Sequence, residues 1–443
     1  MGYQDLTKGR IGSTLLRFSL PVIAGDLLQQ LYNIADTLIV GRVLGTTALA
    51  AVGSAYTLMT FLTSVFLGLS MGSGVLFSIY RGRREGRLLR LAVVHAFGLI
   101  LVITLLVNAA VYLGMEPILT FLQIPKDVWQ GMQEYLQVIF AGLLATSLYN
   151  FCACLLRALG NSAVPLLFLG VSAVLNIGLD LLFVAGLDLG IASAAAATVI
   201  SQYVSGIGIG IYVLVKCREV LPLRGELHFD GAVLKELWGL SALTCLQQSV
   251  MNFGILMVQG LVNSFGAIVM AGFAAAVKID TLAYLPVQDF GNAYSTFIAQ
   301  NYGAGDRRRI QEGTGKAFGI SIAFSVLLSA VVCLFAAPLM QIFVDKEETQ
   351  VIACGVQYLH IEGAFYAGIG CLSLFYGYCR GIKRAGISVL LTVCSLGTRV
   401  LLAYALAPVI GAIGIWMAIP IGWGLADLAG AVFMLKSIRK LQI

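Results

Sequence analysis

The sequence predicts an all-α integral membrane protein with twelve transmembrane helices, arranged as two six-helix bundles related by a parallel repeat. Three observations carry that prediction. Charged residues make up 11% of the 443 residues and hydrophobic ones 59%, with a mean hydropathy of +0.91. A soluble domain holds roughly 25% charged residues and has no interior large enough for so much apolar surface. Lys and Arg alternate from one connection to the next, and the two halves of the chain echo one another.

Apolar stretches long enough for ~30 Å of hydrocarbon fall near residues 15–40, 47–79, 91–114, 132–156, 163–186, 190–216, 234–263, 267–301, 314–337, 351–378, 386–407 and 411–435. Several exceed the length of a perpendicular crossing, which predicts tilt or extension beyond the bilayer. The connections after spans two, four, six, eight and ten, together with both termini, carry 23 Lys and Arg residues. Runs at Arg81–Arg90 and Arg307–Arg309 are among them. The opposite connections carry Arg42, Lys126 and Lys346. That asymmetry predicts cytoplasmic termini. No small-residue cleavage site follows the first apolar segment, so it reads as a retained span.

The net charge of +6 does not point to nucleic acid, because the basic residues sit in short runs between apolar stretches. The nine cysteines contain no C-x-x-C pair and read as small apolar residues within the spans. The 50 glycines suit close helix packing in lipid.

A shift of 221 residues aligns the halves. Gly45 falls on Gly266, Gly82 on Gly303 and Gly190 on Gly411; at slightly different shifts Leu28-Gln29-Gln30 echoes Leu246-Gln247-Gln248, and Arg157 echoes Arg380. Six spans per half preserve orientation, so the repeats are parallel. The sequence divides into an N-terminal bundle at 1–216, a cytoplasmic linker at 217–232 and a C-terminal bundle at 233–443.

Ionisable groups within spans are costly and mark function. The first span carries Asp26, Gln29, Asn33 and Asp36 on one helical face. The fifth carries Asn176 and Asp180 one turn apart, and the sixth carries Thr198. Helix-to-helix hydrogen bonding alone would be served by Asn, so paired acids point to a cation. Asp36, Asn176, Asp180 and Thr198 offer two carboxylates, an amide and a hydroxyl. Such oxygens suit sodium, and equally a proton, since two adjacent desolvated carboxylates do not both ionise cheaply.

The second half lacks these groups at matching positions. Asn176 maps to Gly397, Asp180 to Leu401 and Thr198 to Ile419, with Arg399 nearby. The predicted cation site therefore belongs to the first half alone. In the eighth span Lys278, Asp280, Tyr284, Gln288, Asp289 and Asn292 lie close in sequence; Glu362 and Asp427 are further acids in the tenth and twelfth. His95 and His360 read as packed neutral histidines.

Several of these segments together resemble the multidrug and toxic compound extrusion (MATE) family, in its DinF-like branch. They are Ser19-Leu20-Pro21, Leu28 to Asn33 and Ala35-Asp36; Leu156 to Asn161 with Pro165; Asn176-x-x-x-Asp180; Gly190 with Ala197-Thr198; Phe290-Gly291-Asn292; and Gln300 to Gly305. The resemblance implies the MATE fold of the MOP superfamily and a secondary active antiporter. Such a protein exports cationic amphipathic compounds in exchange for protons or sodium by alternating access. It implies a cation site at Asp36, Asn176, Asp180 and Thr198, and a bend of the first helix at Pro21. Acids and aromatics favour a cationic substrate, so Gln29, Tyr32, Asn33, Gln248, Asn252, Tyr284 and Asp289 are the expected substrate contacts.

The expected protein is a monomer in the bacterial inner membrane, with small organic cations and the bilayer as partners. No cofactor is expected beyond the coupling ion, no metal beyond sodium at the cation site, and no enzymatic activity. A lipid-linked oligosaccharide flippase of the same superfamily is the alternative, though such proteins tend toward fourteen spans and a basic cavity. A membrane enzyme is disfavoured because the spans hold no Asp-rich prenyl-diphosphate motif, metal-binding His pair or Gly-x-Asp protease motif.

Overall fold

The computed structural model describes residues 3–121, 126–222 and 229–441, and among these every regular element is helical. The part of the predicted linker at 223–228 lies outside the described residues. In the first half the helices are α1 (Ile11–Val43), α2 (Gly45–Arg83), α3 (Gly86–Leu113), α4 (Met115–Phe121), α5 (Lys126–Ile139), α6 (Leu143–Ala158), α7 (Ala163–Asp180) and α8 (Ile191–Lys216). The second half follows with α9 (Gly231–Asn263), α10 (Ala267–Ala304), α11 (Arg307–Leu334), α12 (Ala336–Met340), α13 (Thr349–Gly363), α14 (Tyr366–Gly381), α15 (Ala385–Ile410) and α16 (Ala412–Leu441).

Among the described residues, eleven helical stretches are long and apolar enough to cross a membrane. Two are composite. A 3-10 turn at Phe140–Gly142 joins α5 to α6, and a π-helix at Leu181–Gly186 continues α7. The remaining predicted span, the tenth at 351–378, is a pair of shorter helices, α13 and α14. The chain leaves helical bonding just after Gly363, a poor helix former. Three-residue turns take over, with Phe365 N–H donating to Glu362 O (3.0 Å) and Gly368 N–H to Phe365 O (2.8 Å).

Two compact units are present. One contains 1–5 and 24–245, the other 6–23 and 246–443. They follow the sequence halves except at the starts of α1 and α9, where 6–23 belong with the second unit and 231–245 with the first. Both divisions cut through continuous helices, and the one in α1 falls two residues past Pro21.

In the first unit α2 packs on α3, α5 and α6, and α8 on α5, α6 and α7. The start of α9 lies on α2 at glycines. A Cβ on Gly72 would meet Leu240 O at 2.7 Å, and Ser73 Oγ is 3.1 Å from Ser241 Oγ. Gly160 holds φ +91, a left-handed conformation that favours glycine, and its carbonyl accepts from Gln4 N–H at 3.0 Å. Asn161 Oδ1 then accepts from Val164 N–H (3.1 Å) at the start of α7. The Leu159-Gly160-Asn161 segment thus has a structural role.

In the second unit α10 packs on α13 and α14, and α15 on α16. The α10–α14 crossing is built from glycines: a Cβ on Gly377 would stand 2.5 Å from Gly291 O, and one on Gly291 2.8 Å from Ser373 O. Such contacts let backbones approach, as small residues do in lipid. The Gln300-Asn301 segment secures the chain that leads into α1. Gln300 Oε1 accepts from Leu6 N–H (3.2 Å), and Asn301 Nδ2 donates to Leu6 O (3.3 Å). The Arg309 guanidinium donates to the carbonyls of Leu6, Lys8 and Gly9.

Candidate functional site

The first unit brings the four predicted cation-site residues together. Asp36 lies in the last third of α1, Asn176 and Asp180 on the final turn of α7, and Thr198 on α8. The carboxyls of Asp36 and Asp180 lie side by side, close enough to share a proton. Asn176 Nδ2 donates to Thr198 Oγ1 at 3.2 Å, and the Asn176 side chain also lies against Asp180. Asp180 and Asn176 are buried, at 0% and 2% exposure.

Local structure sets this geometry. Spacing of four along α7 stacks Asn176 over Asp180, and the π-helix begins at the next residue, Leu181. A π segment within an α-helix is a frequent mark of a functional position. Tyr135 on α5, itself buried, lies within electrostatic reach of both acids, and Tyr32 within reach of Asp36. Sequence reading missed Tyr135, because nothing along the chain links α5 to α1 and α7.

The chemistry of the cluster is that of an acceptor cage. Asp36 Oδ1, Asn176 Oδ1 and both carboxylate oxygens of Asp180 are buried without a hydrogen-bond partner among the described residues. Four such oxygens cannot satisfy one another. Two unit charges ~4 Å apart at an effective dielectric near 20 repel by about 4 kcal/mol. A proton or small cation among them relieves both the repulsion and the unmet acceptors. Among the described residues, no group of three or more His, Cys, Asp or Glu is placed to hold a metal ion.

The sequence profile of the MatE family matches residues 21–182 and again 242–405. The chain belongs to the MatE family. The two matches begin 221 residues apart, the same shift that aligns the glycines of the repeat. The probable multidrug resistance protein YpnP of Bacillus subtilis is 29% identical over 85% of this chain and 84% of its own length. The probable multidrug resistance protein NorM of Thermotoga maritima is 25% identical over 92% of this chain and 88% of its own. A solved structure of the outward-facing conformation of a multidrug resistance MATE family transporter of the MOP superfamily superposes with a TM-score of 0.93. It is 22% identical and covers 100% of both chains. As a MatE protein the chain is a membrane transporter and not an enzyme.

The second unit of this MatE protein holds an acid pair that sequence reading did not assemble. Asp280 on α10 and Glu362 on α13 are 2% and 3% exposed and interact with each other. Tyr358 donates to Asp280 Oδ2 at 3.4 Å, and Tyr366 lies beside Asp280. Tyr358, Glu362 and Tyr366 recur every four residues, across the break between α13 and α14. That spacing was visible in the sequence; its meeting with Asp280 was not, because the pair is absent from the 221-residue alignment with Asp36 and Asp180.

The other predicted residues distribute between the units. Gln29, Tyr32 and Asn33 lie on α1 in the first, and Gln248, Asn252, Tyr284 and Asp289 on α9 and α10 in the second. Gln29 is exposed and Asp289 buried. Tyr284 is within electrostatic reach of Asp280 and Glu362. Lys278 is exposed and lies over the Phe343 ring, with Nζ 5.8 Å from its centroid. Asn292 Oδ1 accepts from the buried Arg380 Nη2 at 2.9 Å. His95 sits in a structural setting: Nδ1 is 2.8 Å from Leu91 O, and Nε2 accepts from Asp230 N–H at 3.1 Å.

Proposed function

We propose that this MatE protein is a secondary multidrug efflux antiporter that exports organic cations in exchange for protons or sodium. The observation that carries the reading is the cage of unpartnered oxygens on Asp36, Asn176 and Asp180, with Thr198 orienting the amide. The names of the relatives in Bacillus subtilis and Thermotoga maritima support the multidrug part of it.

In this reading the coupling ion enters from outside and occupies Asp36, Asn176, Asp180 and Thr198. The first helix then changes shape at Pro21, and the substrate site at Gln29, Tyr32, Asn33, Gln248, Asn252, Tyr284 and Asp289 loses affinity. Linkage requires ion and substrate to weaken each other's binding by the same factor. The protein acts as a monomer in the bacterial inner membrane. Both termini are cytoplasmic, and the two bundles, joined through 217–232, rock by alternating access. No cofactor takes part besides the ion.

The test uses the full chain in proteoliposomes and the fluorescent cation rhodamine 123. A proton gradient or a sodium gradient, imposed singly, is expected to drive the dye against its concentration difference. Dye movement indifferent to both gradients would refute ion-coupled antiport.

A further inference from the structure

The turn between α2 and α3 in the first unit and the turn between α10 and α11 in the second hold the same place in the repeat. Both close in the same way. Arg84, at φ +59, follows α2 and donates its N–H to Arg81 O at 3.1 Å. Gly305, at φ +71, follows α10 and donates its N–H to Tyr302 O at 3.2 Å. This left-handed position favours glycine, which has no Cβ to crowd the carbonyl that follows. The second unit uses glycine there, whereas the first carries an arginine against the backbone preference.

The charges of the two turns are also disposed differently. In the second unit Arg308 Nε donates to Glu312 Oε1 at 2.7 Å, one helical turn along α11. Its repeat counterpart in the first unit is Arg87, and the residue one turn on from that is the buried Leu91. The neighbouring acids are engaged elsewhere: Glu219 with Arg81 at 3.3 Å and Glu85 with Arg83 at 3.8 Å. Arg84 and Arg87 are exposed and, among the described residues, form no ion pair. An orientation signal needs Lys and Arg near a span whether or not acids accompany them. It therefore does not account for an unpaired arginine at a glycine position.

The helix that starts at this turn explains the arrangement. Helix α3 is a 28-residue apolar candidate span. Arg87, Gly98, Leu101 and Leu105 fall on one face of it by helical spacing, and all four are exposed. A Cβ on Gly98 would meet nothing within 4 Å, so the face is open there. Gly98 lies about 16 Å along the axis from Arg87. A basic end followed by an open apolar track is the order of headgroup and acyl chain in a phospholipid. The guanidinium fork matches phosphate oxygens in two parallel hydrogen bonds, and a free phosphate would leave the apolar track unused.

We propose that Arg84 and Arg87 bind the phosphate of an anionic phospholipid, whose acyl chain lies along Gly98, Leu101 and Leu105. The site stands apart from the cation cluster and does not depend on the antiporter reading.

Native mass spectrometry of the full chain, titrated with dioleoyl phosphatidylglycerol or dioleoyl phosphatidylcholine, reads the fraction that carries one lipid. The unmodified protein is expected to prefer phosphatidylglycerol by at least about fivefold, the scale of one basic residue near an anionic headgroup. The double variant Arg84→Gln/Arg87→Gln is expected to lose that preference. Arg308→Gln, which removes an arginine already paired, is expected to keep it within about twofold. If the double variant does not fold, Arg87→Gln alone is expected to halve the preference or more. Arg84→Gly removes the charge and relieves the backbone, so it is expected to weaken phosphatidylglycerol binding with no fall in the unfolding midpoint. A preference that survives the arginine variants, an equal loss in Arg308→Gln, or no preference in the unmodified protein would overturn the proposal. So would a fall in the Arg84→Gly midpoint, which would make that arginine structural. Release of the lipid by millimolar inorganic phosphate would reduce the site to one for free anions and overturn the lipid assignment.

Discussion

Asp36→Asn is expected to reduce gradient-driven export to background, a fall of at least about tenfold, while the purified protein remains monodisperse. The substitution keeps shape and volume. It removes one of the two charges that make the cage attractive to a cation, and introduces a donor among oxygens that are all acceptors. Asp180 then faces an amide and no longer needs a shared proton. Coupling free energies between sites typically amount to 1–3 kcal/mol, so losing the ion's side of the linkage removes most of the drive. The check is concentrative uptake in inverted vesicles under each gradient, with size-exclusion profiles as the folding control. Export at the unmodified rate would remove Asp36 from the mechanism.

The second large effect concerns folding. Gly377→Val would place a branched side chain where even a Cβ would lie 2.5 Å from Gly291 O, 3.2 Å from Tyr294 Cδ1 and 3.4 Å from Ser295 N. The nearest obstructing atom, Gly291 O, is backbone, so no rotamer change makes room, and α10 and α14 must separate. Overpacking costs typically 1–3 kcal/mol where side chains can shift, and more where they cannot. We expect at least about a tenfold loss of detergent-soluble, monodisperse protein, since marginal stability leaves little reserve. Gly397→Ala is the matched control: its Cβ would meet nothing within 4 Å, and normal yield is expected. A normal yield of Gly377→Val would show that the α10–α14 crossing is not close-packed at Gly377.

Much of this was legible along the chain because the physics is local or periodic. Hydropathy marks spans by composition, and the 221-residue shift reappears in the two family matches. Asn176 and Asp180 could be paired by spacing on one helix, Asp36 and Thr198 stood out as polar groups within apolar spans, and the family resemblance pointed to the same four. What escaped notice depends on tertiary placement. A hydropathy window averages over Gly363 to Phe365, so the break between α13 and α14 reads as one span. Asp280 and Glu362 meet across two helices far apart in sequence. Lys278, three turns from Asp289 on the same helix, lies over Phe343, which no periodicity along α10 points to.

The exchange of helix starts between the units has a consequence for biosynthesis. Leu6, Ile11, Leu15 and Phe18 are buried in one apolar cluster with Val258, Phe297, Leu374 and Met434. With ribosomes adding roughly 5–20 residues per second, the first of these leave the ribosome ten to fifty seconds or so before even Val258 is made. The opening segment of the protein must therefore wait at the membrane for a core that does not yet exist. During that interval its apolar face is open to chaperones, to insertion machinery and to error.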